Sequence, residues 1–307
     1  MAERILIDCD PGHDDAIAIL LALASPEVEV VGITTVAGNQ TLEKTTANAL
    51  RVLEFVGWEV PVAAGADRPL LREPFVAKHV HGETGLDGPD LPPPQGRPID
   101  DHAVDFLGRN ADGVTLVPVG PLTNVALMLA RYPGVRPKRA VLMGGAIGLG
   151  NTTPAAEFNI WADPEAAARV FESGLDITMV GLDVTHQALL MTEDAETLRA
   201  SGRTGAMVAE LYDFYHGFHE RTYGFGGSPI HDALALASVF RPDLLETEHR
   251  HVEIDCDSEL CRGRTVVDLW KRTDKEANAH VAVGVDGAAF TELLLERLPT
   301  LDNIGRT

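Results

Sequence analysis

Four aspartates crowd into the short segment DCDPGHDD, which comprises residues 8–15. Residues 4–8 predict a buried strand and residues 14–24 predict a helix, so the aspartates lie in a strand-to-helix loop. So many like charges in one turn repel one another unless a cation lies among them. Carboxylate oxygens suit Ca²⁺ or Mg²⁺, and a cage built mostly of protein oxygens favours Ca²⁺. An acidic helix cap is the alternative, but it does not also explain Asp8 and Asp10.

Composition narrows the class of protein. A chain of 307 residues with 45% hydrophobic content and no low-complexity linker predicts a single domain over residues 1–307. The polar start, the lack of a membrane-spanning apolar run and three cysteines without metal-ligand spacing predict a reduced, cytoplasmic protein. With 25 Lys+Arg against 46 Asp+Glu, the net charge of −21 repels nucleic acid and anionic membranes. A neutral small molecule is the expected partner.

Apolar runs alternate with helical patterns along most of the chain. Strands are predicted at 28–36, 114–119, 140–143 and 177–182, and helices at 42–55, 122–129 and 164–171. This alternation is typical of an α/β domain with a central, mostly parallel sheet flanked by helices. The Gly- and Pro-rich segment 79–98 is too long for a plain connection and predicts a functional loop or lid. Segment 249–272 predicts strands joined by a turn, without an assigned function.

Polar side chains follow several predicted strands, where a ligand of an open α/β sheet binds. They are Asn39, Asn124, Asn151, Glu157 and Asn159. Asn and Glu offer the mixed donors and acceptors that hold a polyhydroxylated ligand such as a sugar. Each residue taken alone is more typical of a cap or a turn than of a ligand site, so the prediction rests on their joint recurrence at the carboxyl ends of strands.

His231 and Asp232 open a further predicted helix, at 233–239, after a Gly-rich stretch. Asp232 there is either a helix N-terminal charge or a late metal ligand, and His231 beside it is a candidate proton donor.

Five segments carry a family resemblance: DCDPGHDDA, VPVGPLTNVA, MGGA, AEFNIWADPEAA and SPIHDALA. Their order and spacing resemble those of the inosine-uridine preferring nucleoside hydrolases, from residue 4 to about residue 239. The resemblance implies a Rossmann-like nucleoside hydrolase fold and hydrolysis of the N-glycosidic bond of ribonucleosides, in salvage or catabolism. Inosine and uridine are the implied substrates, with cytidine as a further candidate. It also implies a Ca²⁺ at the floor of the pocket and a homotetramer or homodimer.

The resemblance also implies residue roles. The implied metal ligands are Asp10, Asp15, Asp232 and the main-chain carbonyl of Val119, and Asp10 is also the implied general base. The implied sugar-binding residues are Asp14, Asn39, Asn151, Glu157, Asn159 and Asp232, with Met143 against the sugar face. His231 would protonate the departing base or, alternatively, only pack or cap its helix. The residues expected near the base are His81, His219 and Tyr223, and Phe158 and Trp161 are candidate pocket walls.

Two other classes of protein remain as alternatives. A strand followed by Asp-x-Asp also opens the haloacid-dehalogenase-like phosphatases, which use a nucleophilic Asp and Mg²⁺. The polar residues here suit hydroxyl groups better than phosphate, and no convincing phosphate-binding Lys follows a later strand. The second alternative is a Ca²⁺-dependent nucleoside- or sugar-binding protein without turnover. The intact set of proposed catalytic residues favours an enzyme, whose base preference depends on loop geometry that the sequence does not determine.

Overall fold

The structure is a computed structural model that describes residues 2–304. Its strands are β1 (Glu3–Cys9), β2 (Val28–Thr35), β3 (Val62–Ala64), β4 (Thr115–Pro118), β5 (Arg139–Met143), β6 (Ile177–Val180), β7 (Leu189–Met191), β8 (Gly227–Pro229), β9 (Leu245–Arg250), β10 (Val252–Ile254), β11 (Thr265–Val267) and β12 (Ala279–Val285). Eight of them form one sheet in the order β3-β2-β1-β4-β5-β6-β12-β9. Only β9 runs antiparallel to its neighbour, so the sheet is mixed and mostly parallel.

The helices are α1 (His13–Ala24), α2 (Leu42–Val56), α3 (Lys78–His81), α4 (Ala103–Asn110), α5 (Thr123–Arg131), α6 (Phe158–Ala162), α7 (Pro164–Phe171), α8 (Leu182–Thr185), α9 (Thr192–Ser201), α10 (Arg203–Tyr223), α11 (His231–Phe240), α12 (Gly287–Arg297) and α13 (Leu301–Ile304). Short 3-10 turns cover Pro242–Leu244 and Leu298–Thr300. Within residues 2–304, no helix combines the length and the apolar character that a membrane crossing requires. The predicted α/β domain with a mostly parallel sheet is confirmed.

Strand β1 lies in the middle of the sheet and is covered on both faces. Ile5 and Ile7 belong to the hydrophobic cluster on one face, and Leu6 belongs to the cluster on the other. All three side chains are fully buried, because successive residues of a strand point to opposite faces. Helix α1 is buried along its whole length and packs against α11. A helix enclosed on all sides needs no polar stripe, which explains the apolar run after its first turn.

The sequence predicted the position of most central elements to within one to three residues. Helix α7 begins and ends at the predicted residues, and α1 starts one residue earlier than predicted. Segment 249–272 contains the antiparallel pair β10 and β11, as expected. Segment 79–98 has no strand and, after α3 ends at His81, no helix.

Asn124 forms hydrogen bonds that stabilise the fold. Its side-chain amide donates to the Asp8 carboxylate (2.8 Å) and to the Thr35 carbonyl (3.0 Å), and its carbonyl accepts from Ala66 N–H (2.9 Å). The side chain is fully buried and lies outside the cavity described below. The expectation that Asn124 faces a ligand is therefore wrong: it joins β1, β2 and the loop after β3.

We expect Asn124→Ala to lower the free energy of unfolding by about 3 kcal/mol, because the buried Asp8 carboxylate and Thr35 carbonyl and the partly buried N–H of Ala66 each lose a hydrogen bond. Asn110→Ala is the matched control, since the Asn110 amide only donates to Phe106 O in its own helix, and its effect should stay below about 1 kcal/mol. Urea denaturation measures both values. Equal losses in the two variants would contradict the role of Asn124.

Candidate active site

A cavity of about 200 Å³ opens at the carboxyl ends of the parallel strands. Sequence-predicted residues that line it are Asp14, Asn39, His81, Val119, Met143, Asn151, Phe158, Glu157, Asn159, His219, Tyr223, His231 and Asp232. Asp10 and Asp15 are fully buried close to these residues but do not line the cavity. The predicted site residues are brought together by the loops that follow β1, β2, β4 and β5, as expected for an open α/β sheet, and by α3, α10 and the start of α11.

Three carboxylates meet at the floor of the cavity. Asp14, Asp15 and Asp232 each place an oxygen within 4.8 Å of the others. Within residues 2–304, no Lys, Arg or His forms a salt bridge with any of them. Burial and the neighbouring Asp15 raise the pKa of Asp14 to about 8, and burial and Asp14 raise that of Asp232 well above its usual range. A buried, uncompensated carboxylate cluster fits a hard divalent cation.

Asp15 and Asp10 are held in place by main-chain groups. The Asp15 carboxylate accepts from the N–H groups of Asp10 (3.1 Å) and Gly12 (2.9 Å) and from the Asn39 amide (3.1 Å). Asp10 Oδ2 accepts from Asn39 N–H at 2.6 Å, whereas Asp10 Oδ1 is buried and has no hydrogen-bond partner among residues 2–304. Burial and then Asp15 raise the pKa of Asp10 well above its usual range. The unpaired Oδ1 is what a carboxylate awaiting a cation or a water proton would show.

Two glycines make room for Asp10. A Cβ at Gly120 would lie 2.6 Å from Asp10 Oδ1, and a Cβ at Gly38 would overlap Asp10 Oδ2. Both are closer than real Cβ atoms approach a carboxylate, so only glycine lets the backbone pass on these two sides.

Asn159 lies beside the predicted main-chain ligand. Its amide donates to the carbonyls of Val119 (2.7 Å) and Met143 (3.1 Å). A carbonyl oxygen has two lone pairs, so this hydrogen bond leaves Val119 O with capacity for a second partner.

Glu157 is the N-cap of α6 and faces the same part of the cavity. Its carboxylate accepts from the main-chain N–H groups of Gly145 (2.9 Å), Asn159 (2.8 Å) and Ile160 (3.1 Å). Burial raises its pKa to about 7 although these hydrogen bonds oppose the shift. Asn151 Oδ1 accepts from the N–H of Phe158 at 2.9 Å, which fixes the amide at the wall. Fixed amides and carboxylates of this kind are suited to the hydroxyl groups of a sugar.

Aromatic rings form the other end of the cavity. The His231 ring lies 5.5 Å from that of His186 and 6.2 Å from that of His219, and Tyr223 lies 5.9 Å from His219. His231 Nδ1 is 2.7 Å from the hydroxyl of Thr185. Burial, followed by the neighbouring His186, lowers the pKa of His231 well below its usual range. His231 is therefore a neutral imidazole near pH 7.

Sequence reasoning missed several cavity residues, namely His79, Phe75, His186, Tyr215 and Phe218. Tyr215 precedes His219 by four residues on α10, as His219 precedes Tyr223, so helical spacing could have found it. Its hydrogen bond with Asp14 opposes the rise in the pKa of that carboxyl group. Phe158 lines the cavity as expected, but Trp161 does not. The Trp161 ring instead packs edge-to-face on Phe75 at 5.3 Å.

Comparisons with known proteins agree with this arrangement. The model of the inosine-uridine preferring nucleoside hydrolase family matches residues 5–292. A pyrimidine-specific ribonucleoside hydrolase RihA from Shewanella baltica (strain OS155 / ATCC BAA-1091) is 51% identical over 311 residues, which covers 98% of each chain. The protein of the same name from Shigella boydii serotype 4 (strain Sb227) is 50% identical, with 97% of this chain and 99% of that one covered.

Solved structures give the same result. A purine-preferring ribonucleoside hydrolase from Gardnerella vaginalis superposes with a TM-score of 0.92 at 35% identity, covering 98% of this chain and 100% of the other. The plant nucleoside hydrolase PpNRh1 superposes with a TM-score of 0.90 at 36% identity, covering 97% and 99%. The chain therefore belongs to the inosine-uridine preferring nucleoside hydrolase family, whose members hydrolyse the N-glycosyl bond of ribonucleosides.

Proposed function

We propose that this nucleoside hydrolase uses a bound Ca²⁺ to cleave pyrimidine ribonucleosides into free base and ribose. The observation that carries the proposal is the buried carboxylate cluster, with the unpaired Oδ1 of Asp10 beside it. The choice of pyrimidines rests on the relatives named pyrimidine-specific, which are 50 to 51% identical, against 35% for the purine-preferring structure.

The proposed ligands of the ion are Asp10, Asp15, Asp232 and the carbonyl of Val119. Asp15 and Asp232 belong to the three-carboxylate cluster, and Val119 O keeps a free lone pair. A set made only of protein oxygens favours Ca²⁺ over Mg²⁺, which retains more of its waters. When bound, Ca²⁺ would offset the repulsion between the carboxylates and make a water in its coordination sphere more acidic.

Asp10 is the proposed general base. Asn39 N–H fixes its Oδ2, so the unpaired Oδ1 is free to take a proton from the attacking water.

The proposed sugar-binding residues are Asp14, Asn39, Asn151, Glu157, Asn159 and Asp232, with Met143 against the sugar face. Cleavage of a glycosyl bond passes through a sugar with oxocarbenium character. The acidic end of the cavity stabilises the positive charge that develops on the ring, more strongly in the transition state than in the bound nucleoside. Carboxylates and amides that are fixed before the substrate binds need no reorganisation during the reaction.

His231 is the proposed donor to the departing base, with His81, His219 and Tyr223 also placed around the base. A neutral imidazole donates from Nε2 only if Nδ1 carries no hydrogen, and a hydrogen bond that Nδ1 accepts from the Thr185 hydroxyl would favour this tautomer. Thr185 would thus hold His231 in the donating tautomer.

We also propose that the enzyme acts in the cytoplasm in nucleoside salvage or catabolism, as a homotetramer or homodimer. The three free cysteines support a reducing compartment. The family resemblance supports the oligomer, whose mass light scattering would measure.

Release of free base tests the reaction. With saturating Ca²⁺, we expect the purified protein to cleave uridine and cytidine much faster than inosine and adenosine, and a strong chelator to abolish cleavage because it removes the ion. Chromatography of the products measures each rate. Binding of ribonucleosides without any release of base would support a binding protein instead, and unchanged cleavage in chelator would contradict the role of the ion.

Thermal denaturation tests the ion site. Ca²⁺ at about 100 times its dissociation constant should raise Tm by roughly 5 °C, and Asp232→Asn should remove most of this rise because a neutral amide replaces a charged ligand. Asp163→Asn is the matched control: Asp163 is fully buried and bonded to Leu70 N–H and Thr123, away from the cavity. This variant should lose stability but keep the response to Ca²⁺. The same response in both variants would argue against the site.

His231→Ala tests the donor role. The variant should lose on the order of 10²-fold or more in kcat/KM for uridine, whose departing base is stabilised by the hydrogen bond from His231, but much less for 4-nitrophenyl riboside, whose leaving group needs little stabilisation. Because the lowered pKa keeps His231 neutral as the pH falls from 8 to 6, the ratio of wild type to variant should stay constant over that range. His216→Ala, outside the cavity, is the control. An equal loss on both substrates would leave His231 only a structural role.

A further inference from the structure

His13 is a fully buried histidine of the acidic turn for which the proposed reaction has no use. Its ring stacks on Phe214 (5.1 Å), Tyr215 (5.5 Å) and His81 (5.3 Å). His81 lines the cavity and His13 does not. His13 can therefore affect the ligand only through its neighbours, and His81 is the cavity residue that its ring nitrogens contact.

Two polar contacts define the protonation of His13. Its Nε2 lies 2.8 Å from the carbonyl oxygen of Asp87, and its Nδ1 lies 3.1 Å from His81 Nδ1. A carbonyl oxygen can only accept, so His13 Nε2 carries a hydrogen. A buried ring whose two polar partners have no negative charge is neutral, because burial disfavours the imidazolium form. His13 Nδ1 consequently carries no hydrogen and can only accept.

We propose that His13 is a positioning residue that holds His81 as the Nδ1–H tautomer, so that His81 offers its bare Nε2 to the ligand as a hydrogen-bond acceptor. The contact between the two Nδ1 atoms requires one hydrogen, and only His81 can supply it. Within the described part of the chain, His81 Nε2 makes no hydrogen bond, which leaves it free for a ligand. The tautomer does not depend on the proposed reaction, but its effect on turnover does.

The main-chain N–H of His13 offers a competing arrangement. It lies 3.4 Å from His81 Nδ1 and would favour a bare nitrogen there. Two bare Nδ1 atoms would then face each other at 3.1 Å, and their lone pairs would repel. The shorter contact decides the tautomer, since a hydrogen bond at 3.4 Å contributes little.

A tight turn positions the Asp87 carbonyl that His13 Nε2 contacts. The Asp87 carboxylate accepts from Glu83 N–H and Thr84 N–H, both at 2.9 Å, and from the Thr84 hydroxyl. Gly82 has a φ of +75°, and a Cβ there would overlap Asp87 Oδ2. The turn thus fixes Asp87, Asp87 fixes His13, and His13 fixes His81.

If His81 Nε2 is an acceptor, it determines which group of the ligand can form a hydrogen bond with it. The ligand must present a donor there, which in a ribonucleoside is a ribose hydroxyl or an N–H of the base. His81 is then complementary to His231, which donates in the proposed reaction.

Nitrogen NMR tests the tautomer directly. Long-range ¹H–¹⁵N spectra of histidine-labelled full-length protein distinguish protonated from bare ring nitrogens, and the loss of one signal set in His81→Asn assigns His81. We expect a protonated Nδ1 and a bare Nε2 in the wild type. A protonated Nε2 with a bare Nδ1 would overturn the proposal.

Two substitutions of His13 separate positioning from packing. His13→Phe keeps a flat ring for stacking but removes the acceptor, so His81 should lose its fixed tautomer. With uridine, kcat/KM should fall roughly tenfold to hundredfold, as for other partners that orient a functional histidine. His13→Asn places an amide oxygen near the former Nδ1, so it should keep the His81 tautomer and recover most of the rate.

His216→Phe is the matched control, because His216 also stacks on a tyrosine, Tyr212 at 5.1 Å, and bonds through Nδ1, to Ser228. It should leave the tautomer of His81 and the kinetics unchanged. An unchanged His81 tautomer in His13→Phe would overturn the positioning role. If His13→Phe does not fold, the wild-type spectrum still decides. If the wild type cleaves no ribonucleoside, the proposed function fails while the spectra continue to test this inference.

Discussion

Mutual repulsion between buried carboxylates is the constraint on which the rest of the site depends. Burial raises the pKa of Asp10, Asp14 and Asp232, so the folded chain alone disfavours the charged cluster. The fold offsets part of this cost with main-chain donors, as around Asp15. The remaining repulsion would favour a bound cation, because an ion of opposite charge removes the repulsion that the protein leaves uncompensated.

The two ends of the cavity have opposite chemistry for a physical reason. The acidic end comes from loops at the strand ends, where rigid backbone fixes carboxylates and amides such as those of Asp15 and Glu157. The aromatic end comes largely from α10 and the start of α11, where rings stack on each other and burial keeps the histidines neutral. One end is therefore suited to positive charge on a sugar, and the other to a flat, neutral base.

Periodicity and strand ends made much of this predictable. The position of the acidic loop could be predicted because the apolar pattern of the sequence locates strand β1 before it and helix α1 after it. Asn39 and Asn124 show the limit: both follow strands, yet one lines the cavity and the other joins three segments of the fold. Which way an amide turns depends on packing between distant segments. The contact between His13 Nε2 and the carbonyl of Asp87 could not be predicted from the sequence for the same reason.

Gly38 and Gly120 approach Asp10 so closely that the acidic end of the cavity tolerates less change than the aromatic end. No side chain can be added at these two positions without displacing Asp10, so substitutions there cannot change the shape of the cavity while Asp10 stays in place. The rings contributed by α10 face no such restriction. We therefore expect substitutions that change substrate choice to lie at the helical end of the cavity rather than beside Asp10. A purine-preferring enzyme can accordingly share the backbone of this chain to a TM-score of 0.92.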